Sequence, residues 1–142
     1  MNLRNSGVRP FQAAEMLTTS TIKHGIRGMH IQIPPYQSRK IVWVTSGEIL
    51  DVVVDLKSKT VFTFDLRDES EFALYVPTNF AHGFQVLSDA AIVNYLIDTE
   101  YHQEFDTGFN PLTFGFQWPK PVSIMSARDK NLKTFEDFCG EN

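Results

Sequence analysis

The chain has 142 residues, of which 42% are hydrophobic, and a formal net charge of −4. This length is sufficient for one domain with a core and too short for two ordinary domains. Without excess positive charge the chain is not expected to bind nucleic acid, although a ligand with one or two phosphates requires only a few local cations. The single cysteine, Cys139, excludes an internal disulfide bond and a cysteine-based zinc site.

The sequence gives no indication of membrane attachment or export. No apolar run approaches the length of a membrane span, and the first five residues lack the apolar core of a signal peptide. We therefore expect a cytoplasmic protein that has no membrane partner.

Short β-strands dominate the predicted elements. They are predicted, in chain order, at residues 29–33, 40–44, 49–56, 61–66, 72–76, 84–87 and 91–97. In the clearest of them, residues 49–56, the side chains alternate in a way that predicts a half-buried antiparallel strand. Residues 40–56 and 84–97 are each predicted to form a hairpin. Residues 11–17 fit a short strand or a helical turn, and the pattern leaves both open.

One helix is predicted, near the C-terminus. Residues 99–121 are loop-like because several prolines interrupt them, whereas residues 126–138 have a helical signal. Ser126 is the predicted N-cap, and Asp129 lies in the first turn, where a carboxylate suits the helix dipole. Short strands without a long helix between them indicate an antiparallel sandwich or barrel, formed by a single domain of residues 1–142.

Four long polar side chains are predicted to lie close together: Arg27, His30, Gln32 and Lys40. His30 and Gln32 share one face of a strand, and Lys40 begins the next strand. Burying such groups without a ligand is costly, so they suggest the polar floor of a pocket. An exposed polar face is equally consistent with the pattern.

A second histidine, His82, follows a turn that begins at Pro77 and precedes Gly83. Such a turn can bring the imidazole close to a ligand, but a histidine whose hydrogen bonds are satisfied within the turn is an equal alternative. We expect no metal at His30 and His82. The residue two positions after His30 is Gln32, a poor ligand, and Glu48 is the only candidate carboxylate.

Five segments contain motifs that occur together in one family. Residues 27–32 read RGMHIQ, 40–42 KIV, 47–56 GEILDVVVDL, 76–88 VPTNFAHGFQVLS and 125–129 MSARD. They resemble the motifs R-G-L-H-x-Q, K-L-V, G-E-V-x-D-V-x-V-D-L, I-P-x-G-F-A-H-G-F-x-V-L-S and L-S-x-K-D of the dTDP-4-dehydrorhamnose 3,5-epimerase family, the RmlC-like epimerases of the cupin superfamily. Tyr95 lies where the family has a tyrosine. The segment before His30 is shorter than is usual in the family.

The resemblance implies an all-β fold, a cupin-type antiparallel β-barrel (jelly roll) with a short C-terminal helix. It also implies four catalytic residues. His30 would remove a proton beside a ketone, and Asp129 would accept a hydrogen bond from its far ring nitrogen. Tyr95 would be the acid on the other side of the pocket, and Lys40 would stabilise the enolate oxygen.

Four further residues are implied to bind the substrate. Arg27 and His82 would contact the nucleotide diphosphate, a task that suits a guanidinium and an imidazole donor. Gln32 and Thr21 would also contact the substrate, and Thr21 stands where the family commonly has a serine.

The implied activity is epimerisation of an NDP-4-keto-6-deoxy sugar at C3, C5 or both, by a homodimer without metal or redox cofactor. Two alternatives remain: a ketoisomerase that moves the carbonyl between C4 and C3, and a non-catalytic sugar-nucleotide binder. The R-G-x-H-x-Q and H-G-F pattern favours the epimerase over the ketoisomerase. Tyr95 and Asp129 argue against the binder, because binding alone needs neither an acid nor a carboxylate that orients a histidine.

Overall fold

The computed structural model describes residues 10–141, which form two antiparallel β-sheets. The first sheet has the strand order β1 (Glu15–Ile22), β8 (Ala90–Ile97), β3 (Lys40–Ser46) and β6 (Leu74–Val76). The second has the order β5 (Thr60–Arg67), β4 (Glu48–Asp55), β7 (Phe80–Val86), β2 (Ile26–Gln32) and β9 (Asp106–Gly108). Two short helices follow, α1 (Ala127–Lys130) and α2 (Phe135–Glu141). The predicted all-β class with a short C-terminal helix is confirmed.

Both predicted hairpins are wrong. Strands β3 and β4 lie in different sheets, and so do β7 and β8, so each tight connection carries the chain from one sheet to the other. Gly47 makes the first of these connections with a φ of 83°, and a Cβ there would lie 2.2 Å from the carbonyl oxygen of Ala90. The backbones approach too closely at this corner for a side chain, so the turn requires glycine. Strands β4 and β5 do form a hairpin.

Strand β4 is buried on both faces, which corrects the prediction of a half-buried strand. Val53 packs in the core between the sheets, whereas Val52 and Val54 pack in a second core on the outer face of the second sheet. Aromatic residues of the C-terminal third cover that outer face, among them Phe109, Trp118 and Phe138. Asp51 lies on the same face of β4 as Val53, and this face points into the barrel between the two sheets.

Strand β7 begins at Phe80 and not at the predicted residue 84, so His82 lies within this strand. The other differences lie near the ends of the chain. Strand β1 begins at Glu15, so the strand alternative is the correct one for the end of segment 11–17. The segment predicted as loop contains the short strand β9, which pairs with β2. The predicted single helix is divided in two because the backbone at Lys133 bonds to Asn110 and bridges to Phe109. In the part of the chain that the structure describes, neither helix has the length and apolarity needed to span a membrane.

Candidate active site

A cavity of about 320 Å³ opens between the two sheets. Six of the eight predicted site residues line it: Arg27, His30, Gln32, Lys40, His82 and Tyr95. The other two stand directly behind this lining, Asp129 against His30 and Thr21 against Arg27. Strands of both sheets contribute, since His30 lies on β2 and Tyr95 on β8. A substrate in the cavity would therefore have an imidazole on one wall and a phenol on the other.

His30 and Asp129 form a short hydrogen-bonded pair. His30 Nε2 lies 2.6 Å from Asp129 Oδ1, and the side chains are 27% and 3% exposed. The other carboxylate oxygen accepts the Gly28 N–H at 3.1 Å, which fixes the orientation of the carboxyl group. Ser126 caps helix α1 by accepting the Asp129 N–H at 3.0 Å, as the sequence predicted, and this cap holds Asp129 against β2. Because Nε2 is hydrogen bonded to Asp129, Nδ1 is the His30 nitrogen that can contact a substrate in the cavity.

The pKa of Asp129 reflects two opposed effects. Burial alone would raise it, but the hydrogen bond and the charge of His30, together with the Gly28 N–H, bring it below its ordinary value. Asp129 therefore remains a carboxylate at neutral pH. It can fix the tautomer of His30 and stabilise the imidazolium that forms when His30 accepts a proton.

Tyr95 is 8% exposed on the wall opposite His30. Burial raises the pKa of its phenol, and the negative charge of Asp51 raises it further; Arg27 and a hydrogen bond with Thr19 act in the opposite direction. The phenol is therefore protonated at neutral pH, which is the form that a proton donor requires. Thr19 and Arg27 are the two groups that favour the phenolate after the proton has left.

Lys40 lies on β3, in the same sheet as Tyr95. Burial lowers the pKa of its amine, and the nearby charge of Arg128 lowers it too, whereas Asp106 and Asp51 raise it. A half-buried, partly desolvated ammonium group is well suited to stabilising a negative charge that develops on an oxygen.

Arg27 is held in place by strand β1. Its Nε donates to Thr21 Oγ1 at 2.6 Å, and its Nη2 donates to the carbonyl oxygen of Ser20 at 3.2 Å. Arg27 is exposed, so its guanidinium lies at the mouth of the cavity. Thr21 thus contacts Arg27, and its place in the site is that of a support for the guanidinium.

Gln32 has its polar groups committed to the protein backbone. Its Nε2 donates to the carbonyl oxygens of Tyr36 at 2.6 Å and Glu100 at 3.0 Å, and its Oε1 accepts the His102 N–H at 3.1 Å. The side chain therefore fastens two loops at the edge of the cavity.

His82 lies deeper than a residue that meets a diphosphate would be expected to lie. It is 3% exposed, its Nε2 is 2.7 Å from Asp51 Oδ2, and its ring meets that of Tyr95 edge-on at 5.9 Å. Asp51 was not among the residues predicted for the site. The sequence does contain a signal for Asp51, because it is a charged residue in the middle of a strand whose residues before and after it are apolar.

Further residues at the cavity were also missed. At the rim, Arg128 Nη2 donates to Asp106 Oδ2 at 2.9 Å, and the Tyr101 N–H donates to Glu15 Oε1 at 3.0 Å. Arg128 could have been predicted from its position next to Asp129 in the sequence. Asp106 gave no such signal, because it lies in a segment predicted as loop. Among residues 10–141, no three histidine, cysteine or acidic side chains are grouped so that they could hold a metal ion.

Comparisons with known proteins show which family this chain resembles. A family model described as dTDP-4-dehydrorhamnose 3,5-epimerase matches residues 2–137. A dTDP-4-dehydrorhamnose 3,5-epimerase of Methanothermobacter thermautotrophicus is 37% identical over 82% of this chain and 68% of that protein. The enzyme of the same name from Escherichia coli is 35% identical over 81% and 66%. The chain thus spans about two thirds of the length of these relatives.

The chain is also similar to solved structures of such epimerases. A dTDP-4-dehydrorhamnose 3,5-epimerase of Bacillus anthracis, described with TDP and PPi bound, superposes with a TM-score of 0.83 at 30% identity and covers 87% of this chain and 75% of its own. A 4-keto-6-deoxy sugar epimerase of Streptomyces spheroides has a TM-score of 0.86 at 28% identity, with 94% and 70% covered. The expected cupin-type jelly roll is confirmed by these neighbours.

Proposed function

Because this chain belongs to the dTDP-4-dehydrorhamnose 3,5-epimerase family, we propose that it is an isomerase that epimerises an NDP-4-keto-6-deoxy sugar at C3, C5 or both. A dTDP-sugar is the first substrate to test, since the similar enzymes are named for one. The observation that carries the proposal is the pair of opposed groups in the cavity. His30 is supported by Asp129 on one wall, and the phenol of Tyr95 stands on the other.

Proton removal is the first step. His30 Nδ1 accepts the proton of a carbon next to the ketone, the C–H electron pair forms a C=C bond, and the carbonyl π pair moves to the oxygen. Lys40 stabilises the resulting enolate oxygen, and Asp129 stabilises the imidazolium of His30. Both groups act in a cavity between two packed sheets, where such electrostatic effects are stronger than in water.

Proton return is the second step. Tyr95 donates its phenolic proton to the same carbon from the opposite wall, the enolate collapses to the ketone, and the configuration is inverted. The phenolate that remains is favoured by Arg27 and by the hydrogen bond with Thr19. Exchange with solvent then returns a proton to Tyr95 and removes one from His30, so that the site is ready for another turnover.

The nucleotide end of the substrate is proposed to lie at the mouth of the cavity. Arg27, supported by Thr21, is exposed there and can bind a diphosphate oxygen through two N–H groups. The depth of His82 favours a contact with the sugar instead. No cofactor is needed for these steps, because the ketone itself makes the neighbouring C–H acidic.

A homodimer and a cytoplasmic location complete the proposal. Strand β1 is at the edge of its sheet and exposes Met16, Leu17 and Ile22 by 65%, 50% and 58%. Apolar side chains along an edge strand are the kind of surface that a second copy covers. Sedimentation equilibrium should give twice the chain mass, and a monomer would contradict the dimer.

The cytoplasm is proposed as the location because the proposed substrate is a nucleotide sugar.

The test is incubation with dTDP-4-keto-6-deoxyglucose in deuterated water, followed by NMR. We expect deuterium at C3, C5 or both, together with inversion at the labelled carbon. Movement of the carbonyl to C3 would indicate a ketoisomerase. Binding of the nucleotide sugar without any exchange would indicate a non-catalytic binder and contradict the proposal.

A further inference from the structure

Asp51 and His82 form a second histidine–carboxylate pair, on the floor of the cavity. The hydrogen bond between Asp51 Oδ2 and His82 Nε2 is 2.7 Å long, and the side chains are 0% and 3% exposed. Asp51 Oδ1 is buried and has no hydrogen-bond partner within residues 10–141. His82 is therefore the group that compensates this buried carboxylate by direct contact. An uncompensated carboxylate at such a depth would be strongly unfavourable.

The pair lies between the proposed base and the proposed acid. His82 is the register partner of His30 on the neighbouring strand, so both imidazoles point into the barrel. On its other side, the ring of His82 meets Tyr95 edge-on at 5.9 Å. A sugar carbon that is reached by both His30 and Tyr95 has its neighbouring carbonyl close to His82. The diphosphate, by contrast, belongs at the mouth, where exposed Arg27 and Arg128 line the cavity.

The charge of the pair determines what it can do. A neutral imidazole would leave the pair with one net negative charge, so the Lys40 ammonium would have to offset Asp51 as well as the enolate. An imidazolium gives a pair with no net charge, which can be buried at a lower cost. It also has two N–H donors. One is used by Asp51, and Nδ1 has no hydrogen-bond partner among the described residues.

We propose that Asp51 is a positioning residue that holds His82 as an imidazolium, and that His82 Nδ1–H donates a hydrogen bond to the enolate oxygen and not to the diphosphate. His82 keeps its proton throughout: the C–H proton goes to His30, and the carbonyl π pair goes to the oxygen that Nδ1–H and Lys40 contact. This inference rests on the proposed function. It gives the oxygen two donors, His82 from the second sheet and Lys40 from the first.

The substitution Asp51→Asn tests the role in the reaction. Its amide oxygen can still accept the Nε2–H of a neutral His82, but Nδ1 then presents a lone pair to the enolate. We expect kcat for deuterium exchange to fall about 100-fold, the size of effect seen when one oxyanion donor is removed. KM should stay within about threefold of the wild type, since uniform binding is retained. A raised KM with an unchanged kcat would overturn the proposal in favour of a diphosphate contact.

Glu48→Gln is the matched control, because it removes a carboxylate from the same strand at an exposed ion pair with Arg67. Its kcat and KM should equal those of the wild type. Titration with dTDP then shows whether Asp51→Asn is folded, and we expect wild-type affinity. A kcat of Asp51→Asn equal to that of Glu48→Gln would overturn the inference while leaving the proposed function intact. Absence of exchange in the wild type would instead contradict the proposed function.

A measurement on the unaltered protein keeps the inference testable if Asp51→Asn does not fold. Nitrogen-15 NMR of histidine-labelled protein at neutral pH should show that both ring nitrogens of His82 carry a proton. The resonances can be assigned by their absence from His82→Gln. In folded Asp51→Asn, Nε2 alone should be protonated. A wild-type His82 with one protonated nitrogen would overturn the proposal.

Discussion

His30 and His82 are register partners on the neighbouring strands β2 and β7, and each imidazole is hydrogen bonded through Nε2 to a buried carboxylate. The two pairs differ in exposure, since the His30 side chain is 27% exposed and that of His82 is 3% exposed. A base that takes a proton from a substrate must reach it and later exchange with solvent, which suits His30. The buried ring suits a hydrogen-bond donor that keeps its proton.

Asp129→Asn should lower kcat by about 100-fold or more, because the amide can no longer stabilise the imidazolium of His30 or fix its tautomer. The Gly28 N–H would hold the amide oxygen and leave the amide nitrogen facing His30 Nε2. Single-turnover deuterium exchange measures this loss directly. Asp137→Asn, at an exposed position of α2, is the control and should exchange at the wild-type rate. Equal rates for the two variants would contradict the role given to Asp129.

Tyr95→Phe should slow net epimerisation more than it slows the first proton exchange. The phenylalanine keeps the buried ring but removes the proton that is delivered to the opposite face of the sugar. His30 still opens the C–H bond, so deuterium enters with retention of configuration. Comparing label incorporation with inversion in one NMR time course tests this. An equal loss of both rates would show that Tyr95 is not the acid.

The sequence motifs predicted which residues meet at the cavity better than they predicted how the strands pair. His30, Asp129 and Tyr95 come together as expected because their positions follow the motifs. The hairpins failed because neighbouring strands with matching patterns, such as β3 and β4, cross between sheets. Local alternation contains no information about which sheet a strand joins. Asp51 was missed because the alternation in β4 predicted only one buried face. The other face is buried too, and this depends on a C-terminal segment that is distant in the sequence.

Thr21→Val should raise KM about tenfold and leave kcat nearly unchanged. Valine keeps the shape of the side chain but cannot accept the 2.6 Å hydrogen bond from Arg27 Nε. A hydrogen bond to a charged group contributes about 1.5–3 kcal/mol, so its loss should loosen the guanidinium that binds the diphosphate. Steady-state kinetics with the nucleotide sugar measures KM. Thr21→Ser retains the hydroxyl and should behave as the wild type; a raised KM in this variant would point to packing instead.

Lys40→Met should stabilise the fold and impair the reaction. Because burial lowers the pKa of Lys40 below 10.5, the charged amine disfavours folding at every pH below the folded-state pKa, and this cost disappears above 10.5. The variant should therefore have a higher free energy of unfolding at neutral pH, and the gain should shrink as the pH rises towards 10.5. Urea titrations at several pH values measure it. A less stable variant at neutral pH would contradict the electrostatic account.

The catalytic loss in Lys40→Met should be about 100-fold in kcat, because the enolate oxygen loses its ammonium donor. Single-turnover exchange reports this step without interference from product release. A variant with wild-type kcat would show that Lys40 does not contact the developing charge.

The central claim is that His30, supported by Asp129, removes the proton beside the ketone. Its most direct test compares the wild type with His30→Ala under identical conditions, with dTDP-4-keto-6-deoxyglucose in deuterated water and NMR detection at C3 and C5. Both proteins should bind dTDP, which shows that the cavity is intact. We predict deuterium in the wild-type reaction and none at either carbon with His30→Ala. Exchange by His30→Ala at the wild-type rate would contradict the account.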